Sequence, residues 1–237
     1  MPERPPLAEP AGSTAVLFRW PPASAFGHTV PKTKFYEHGT VRTALREKFV
    51  NDVQRITWAY KLADDTIRLR GSTDVPEIQV FRLETKGADV SGDVLSAIDK
   101  TVHFPIIFEV AQGDRVRTVA AQKSLRGKSP TIGAYLTTDW LPADSPRRPL
   151  PTALDLPSLY EAILSALLPL ATRPGEEVSA AIERLGRTRG LEREIAALEK
   201  KLRTEPQLNR KIELRRKLKE RTAVLAELTG PVPSDKE

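Results

Sequence analysis

Residues 191–228 read LEREIAALEKKLRTEPQLNRKIELRRKLKERTAVLAEL, and this stretch decides how the chain is organised. Leu191, Ile195, Leu198 and Leu202 recur three and four residues apart, and Leu214, Leu218, Leu225 and Leu228 repeat the pattern. That spacing puts one apolar stripe on each of two helices, in the manner of a coiled coil. Thr204-Glu205-Pro206 separates them, because proline lacks the amide proton a helix interior needs. So short a turn makes the helices antiparallel neighbours. The first arm extends from Glu176 to about Arg203 and the second from about Gln207 to Leu228, each spanning roughly 35–40 Å at ~1.5 Å per residue. Gly186 and Gly190 lie inside the first arm and predict a weak point or bend. Glu183/Arg187, Glu199/Arg203 and Glu213/Lys217 stand four apart in the order that favours ion pairing, each contributing about 0.3 kcal/mol.

The hairpin is also where the positive charge lies. The 237-residue chain carries a formal net charge of +6. Between Arg184 and Arg221 fourteen Lys/Arg face six Glu, an excess of +8 that leaves the rest of the chain at −2. Arg210, Lys211, Arg215, Arg216, Lys217, Lys219 and Arg221 crowd the second arm, several on a shared face, and form the candidate binding site. Phosphates of DNA would pair with them through counterion release, without sequence readout. An acidic protein surface is an alternative partner, and a solvated helix face that keeps the hairpin soluble is the plainer reading.

Upstream, Pro142, Pro146, Pro149, Pro151 and Pro157 mark a proline-rich linker over 142–175 that holds one helix, Ser158 to Leu170. Residues 15–141 alternate between the two periodicities. Helices are predicted over Thr40–Asn51, with Thr40 as N-cap, and Gly92–Val102, whose stripe is Val94, Leu95, Ile98 and Val102. Strands are predicted over 56–62, 77–83, 105–110, 115–122 and 131–137, with a hairpin at Gln112-Gly113-Asp114. Ile78 and Val80 alternate with Gln79, Phe81 and Leu83, so both faces of that strand are covered, as in an inner strand. The fold class is α+β, a mixed or largely antiparallel sheet of four to six strands, followed by the helical hairpin over 176–229. Residues 1–14 and 230–237 read as disordered tails.

Composition excludes several chemistries. With no cysteine there is no disulfide, thiolate metal site or cysteine nucleophile. The proline-rich start has no apolar signal segment, and Tyr160–Leu170 is about half a membrane span, so a cytoplasmic protein without membrane contact is expected. His28, His38 and His103 lack metal-ligand spacing, and no Gly-x-Ser-x-Gly elbow is present. Gly127-Lys128-Ser129 ends like a phosphate loop, but Gln122 stands where that pattern needs glycine. Asp74, Glu77, Glu84 and Lys86 resemble the Asp…Glu-x-Lys set of Mg²⁺-dependent nucleases, with surface ion pairs as the alternative. Pro31-Lys-Thr-Lys-Phe-Tyr36 combines basic and aromatic residues that either stack on bases or pin a lead-in strand to the core. The chain reads as non-enzymatic, with neither cofactor nor metal. A coiled-coil homodimer is a further alternative.

Four segments carry a family resemblance: Pro31-Lys-x-Lys-Phe-Tyr36, Glu77-Ile-Gln-Val-Phe81, Ile98-Asp-Lys100 followed by Pro105-Ile-Ile-Phe108, and Glu205-x-Gln207-x-Asn209-Arg-Lys-Ile-Glu-Leu214. Over residues 15–229 the chain resembles a bacterial domain-of-unknown-function family (number four-three-nine-one). Pro206 and Leu208 depart from the lysine and phenylalanine of that pattern, both within the hairpin turn. The resemblance implies an accessory role beside a helicase or DNA methyltransferase, in mobile or phage-defence loci, with no catalytic residues assigned.

Overall fold

The computed structural model describes residues 16–36, 43–126, 130–170 and 172–230. Thr40, His38, the triplet 127–129, the tail 1–14 and residues 231–237 lie outside the described residues. The chain divides into two compact units, Met1–Pro169 and Leu170–Glu237.

The first unit is a sheet of seven strands: β2 (Ala25–Thr29), β3 (Val53–Leu62), β4 (Ile78–Thr85), β5 (Ile106–Gln112), β6 (Arg115–Ser124), β7 (Thr131–Thr137) and the short β8 (Leu141–Pro142). Their order is β2-β3-β4-β5-β6-β7, with β8 also pairing β6. All pairs are antiparallel except β4 with β5. A one-turn helix, α2 (Asp64–Ile67), follows β3, and a parallel pair needs a crossover, which α3 (Gly92–Thr101) supplies. A separate two-stranded ribbon joins β1 (Phe18–Arg19) in parallel to β9 (Arg148–Pro149).

Register sorts the side chains. Phe81, Phe108 and Val119 stand abreast across β4, β5 and β6. They share one core with Phe49 of α1 (Thr43–Asp52), with Val94, Leu95 and Ile98 of α3, and with Phe35. Each such buried side chain contributes about 1.5–3 kcal/mol. One residue along, Arg82, Glu109 and Thr118 point to the other face. There the Glu109 side chain, 5 % exposed, accepts from Trp20 Nε1 at 2.7 Å and from Arg147 Nη1 at 2.6 Å. Arg147 also donates to the Phe18 carbonyl, 2.8 Å away. These bonds lay both ribbon strands over the sheet.

The sheet has more strands than the alternation predicts. β2 (AFGHT) escapes because Gly27, at φ +71°, shifts its register against β3. β8 is two residues long and contains a proline. Where the sequence sets a linker from Pro142, the chain instead pairs β8 with β6 and β9 with β1 and packs the next helix, α4 (Leu156–Ala166), on β6. α4 begins before Ser158 because Asp155 is its N-cap, accepting from Ser158 N at 2.9 Å, with Pro157 in the first turn. Among the described residues no helix is long and apolar enough to cross a membrane.

The most constrained polar group is Lys123, with a fully buried side chain. Its ammonium donates to Asp99 Oδ1 at 3.0 Å and to the carbonyls of Asp99, Val102 and Phe104 around the end of α3. Tyr135 Oη donates to the second Asp99 oxygen at 3.0 Å. Burial pushes the Asp99 carboxyl up and the Lys123 ammonium down, while their contact opposes both shifts. Asp99→Ala leaves that ammonium buried without its counter-charge. We expect it to lose about 3–5 kcal/mol of stability, read as a fall in the urea midpoint. An unchanged midpoint would show the carbonyls alone satisfy the lysine.

Candidate polyanion-binding face

The second unit is built from α5 (Val178–Thr204) and α6 (Leu208–Thr229), which pack together as a hairpin. Leu191, Ile195, Leu198 and Leu202 on α5, and Leu214, Leu218, Leu225 and Leu228 on α6, are half-buried, while most of their neighbours are exposed. Two helices alone cannot enclose a seam, and no residue of α6 is fully buried. α5 continues unbroken through Gly186 and Gly190, where a bend is predicted. Leu185 and Thr188 are buried beside those glycines, and Thr188 Oγ1 donates to the Arg184 carbonyl at 3.0 Å. Of the three expected pairs along the helices, Glu183–Arg187 forms at 3.8 Å. Arg216–Glu220 at 3.7 Å joins it, and Arg221–Glu194 at 3.1 Å crosses between the arms.

The base of the hairpin is clamped by residues that sequence reading passed over. Arg173 Nη2 donates to the carbonyls of Glu227 and Leu228 at 2.8 and 3.2 Å, satisfying the open end of α6. Arg184 donates to both oxygens of Glu176 at 2.8 Å and also reaches the Leu228 carbonyl at 3.2 Å. The available signal was Arg173-Pro-Gly-Glu176, a turn flanked by opposite charges.

The seven basic residues of α6 fall on different sides of the seam. At 3.6 residues per turn, Lys211, Arg215 and Lys219 climb one flank at four-residue intervals, about 6 Å apart. No acidic residue of α6 shares that flank, although Glu192 and Glu199 of α5 stand on the same side. Among the described residues, Lys211, Arg215 and Lys219 make no ion pair. Arg210, Lys217 and Arg221 occupy the opposite flank. Together with Lys201 they line adjoining hollows of about 290 and 380 Å³, where Glu194, Glu205, Glu213 and Glu220 alternate with them. Arg216 points outward beside Glu220. Only the first flank therefore presents uncompensated charge from α6.

The carboxylates proposed for metal chemistry do not meet. Asp74 accepts from Arg126 Nε at 2.7 Å, and Glu77 lies 3.9 Å from Lys61, both before β4 begins. Glu84, near the far end of β4, accepts from Arg55 Nε at 3.1 Å, and Lys86 donates to the Val50 carbonyl at 2.6 Å. Seven residues of extended chain hold Glu77 and Glu84 roughly 23 Å apart at ~3.3 Å per residue. Among the described residues no cluster of three metal-ligating side chains occurs. Phe35 is buried and stacked on Phe49, 6.0 Å between centroids, which makes Pro31–Tyr36 a core anchor.

A family model described as Domain of unknown function (DUF4391) matches residues 18–225. No curated protein and no solved structure matches the chain.

The clamp gives the hairpin a pH dependence. Arg184, followed by the Arg173 amide, holds the Glu176 carboxyl down to about 2. A depressed carboxyl stabilises fully above its unfolded value, about 4.3, and loses that contribution as pH falls toward 2. Thermal melts by circular dichroism should show a midpoint falling between about pH 5 and 2. Glu176→Gln should lower the neutral-pH midpoint and flatten the fall; parallel curves would remove Glu176 as its source.

Proposed function

The chain belongs to the DUF4391 family, and from that premise we propose that it is a non-catalytic accessory protein that holds nucleic acid by its phosphate backbone. The observation that carries this reading is the ladder Lys211–Arg215–Lys219. A regular row of like charges with no ion-pair partners costs a protein self-repulsion, which a polyanion relieves. The groups stand on a rigid helix, so they are spaced before the ligand arrives. They touch no base-reading surface, so binding is indifferent to sequence. The mixed-charge flank opposite repels and attracts a phosphate chain in equal measure and takes little part. Work beside a helicase or DNA methyltransferase, the setting that the family resemblance implies, suits a subunit that grips DNA without altering it.

A second reading is favoured by Leu208 and Ile212, which are 69 % and 56 % exposed at the start of α6. Such residues fit a homodimer contact, and the mass in solution of the chain against Leu208→Glu decides that.

Three phosphate contacts give a logarithmic salt slope of about −2.7 on duplex DNA, hence about 40-fold weaker binding at 200 than at 50 mM salt. Changing Lys211, Arg215 and Lys219 to Glu should abolish binding, whereas Arg210→Glu with Lys217→Glu should leave most of it. Equal loss in both variants would show a diffuse charge effect. No binding at low salt would turn the ladder toward an acidic protein surface.

A further inference from the structure

Strand β2 is an outer edge of the sheet, and all five of its residues are exposed. Edge strands ordinarily carry charge or cover. This one carries rings. Phe26 lies 4.1 Å from Trp58 and 4.3 Å from His28 between centroids, and is itself 39 % exposed. Behind them Trp58 stacks on Phe81 at 6.1 Å and 6°, which fixes the platform to the core. The kink at Gly27 breaks the ladder on that edge, so an added peptide strand finds no continuous row of partners.

Where β2 ends, a hollow of about 450 Å³ opens, lined by Thr29, Lys32, Gln54, Arg55 and Glu84 among others. Glu84 answers Arg55. Lys32 donates to the Val53 carbonyl and Lys86 to the Val50 carbonyl, so two ammonium groups are held around one turn of chain. Partial burial and then the Lys86 charge hold the Lys32 ammonium below its ordinary pKa. An exposed aromatic platform therefore adjoins a hollow with surplus positive charge.

We propose that this edge binds single-stranded nucleic acid, with an unstacked base lying on Phe26, His28 and Trp58 and the neighbouring phosphate meeting Lys32 and Arg55. Every base has a face for stacking, and a duplex hides those faces, so the site selects single strands without selecting sequence. The site belongs to the first unit and stands independently of the hairpin ladder.

The test uses the full chain with Lys211, Arg215 and Lys219 changed to Glu, so that the hairpin does not mask the edge. Fluorescence anisotropy compares a labelled twelve-nucleotide oligo(dT) with an abasic phosphodiester of equal length. The base-bearing oligomer should bind about ten-fold tighter. Phe26→Ala and His28→Ala should each erode that preference, and Arg55→Gln should weaken both oligomers alike. Equal affinity for both oligomers, a preference untouched by either aromatic variant, or no binding at all overturns the proposal. Steep salt-dependent duplex binding by the unaltered protein separates failure at the edge from failure of the hairpin reading.

Discussion

One buried ammonium sets the geometry of the first unit. The parallel pairing of β4 with β5 forces the chain across a face of the sheet, and α3 must end where β5 can begin. Lys123 reaches from β6 to take the carbonyls at that end, and Asp99 supplies the counter-charge. Desolvating a charge costs several kcal/mol, so the arrangement persists because every proton of the ammonium finds an acceptor. Tyr160 works beside it from α4. Its hydroxyl accepts from the Lys123 amide at 3.2 Å and donates to the Ala121 carbonyl, in the stretch where β6 slips register against β7. A helix, a bulged strand and the helix α4 are thus fixed around a few atoms.

The parts legible in the sequence are those whose periodicity has a single physical cause. β4 reads as an inner strand because both its faces are apolar, and the hairpin because its leucines repeat at helical spacing. Lys123 and Glu109 were illegible for the opposite reason. A charge within a strand signals a solvent-facing position unless its partner is known, and those partners lie 24 and 89 residues away in sequence at Asp99 and Trp20. β2 hid behind its glycine. The aromatic contacts of Phe26 and Trp58 depend on pairing that no local pattern encodes.

The candidate site was half legible. Counting charges located α6, but a count does not separate a flank where Glu residues of α6 alternate with the cations from one where α6 supplies none. That distinction follows from the side of the seam on which each residue falls. The carboxylate set failed in the converse way, since residues close in the chain read as close in space, whereas an extended strand moves Glu77 and Glu84 apart faster than any other conformation.

The ribbon of β1 and β9 has a consequence in time. Phe18 meets Arg147 across 129 residues. On a ribosome adding about 5–20 residues per second, β1 waits roughly 6–26 s for its partner to be made. Throughout that interval Leu17, Phe18 and Trp20, all buried once folding is complete, have no β9 to cover them. The hairpin, whose arms are neighbours in sequence, faces no such delay. The apolar side chains around β1 therefore stay without that cover until the segment around Arg147 emerges.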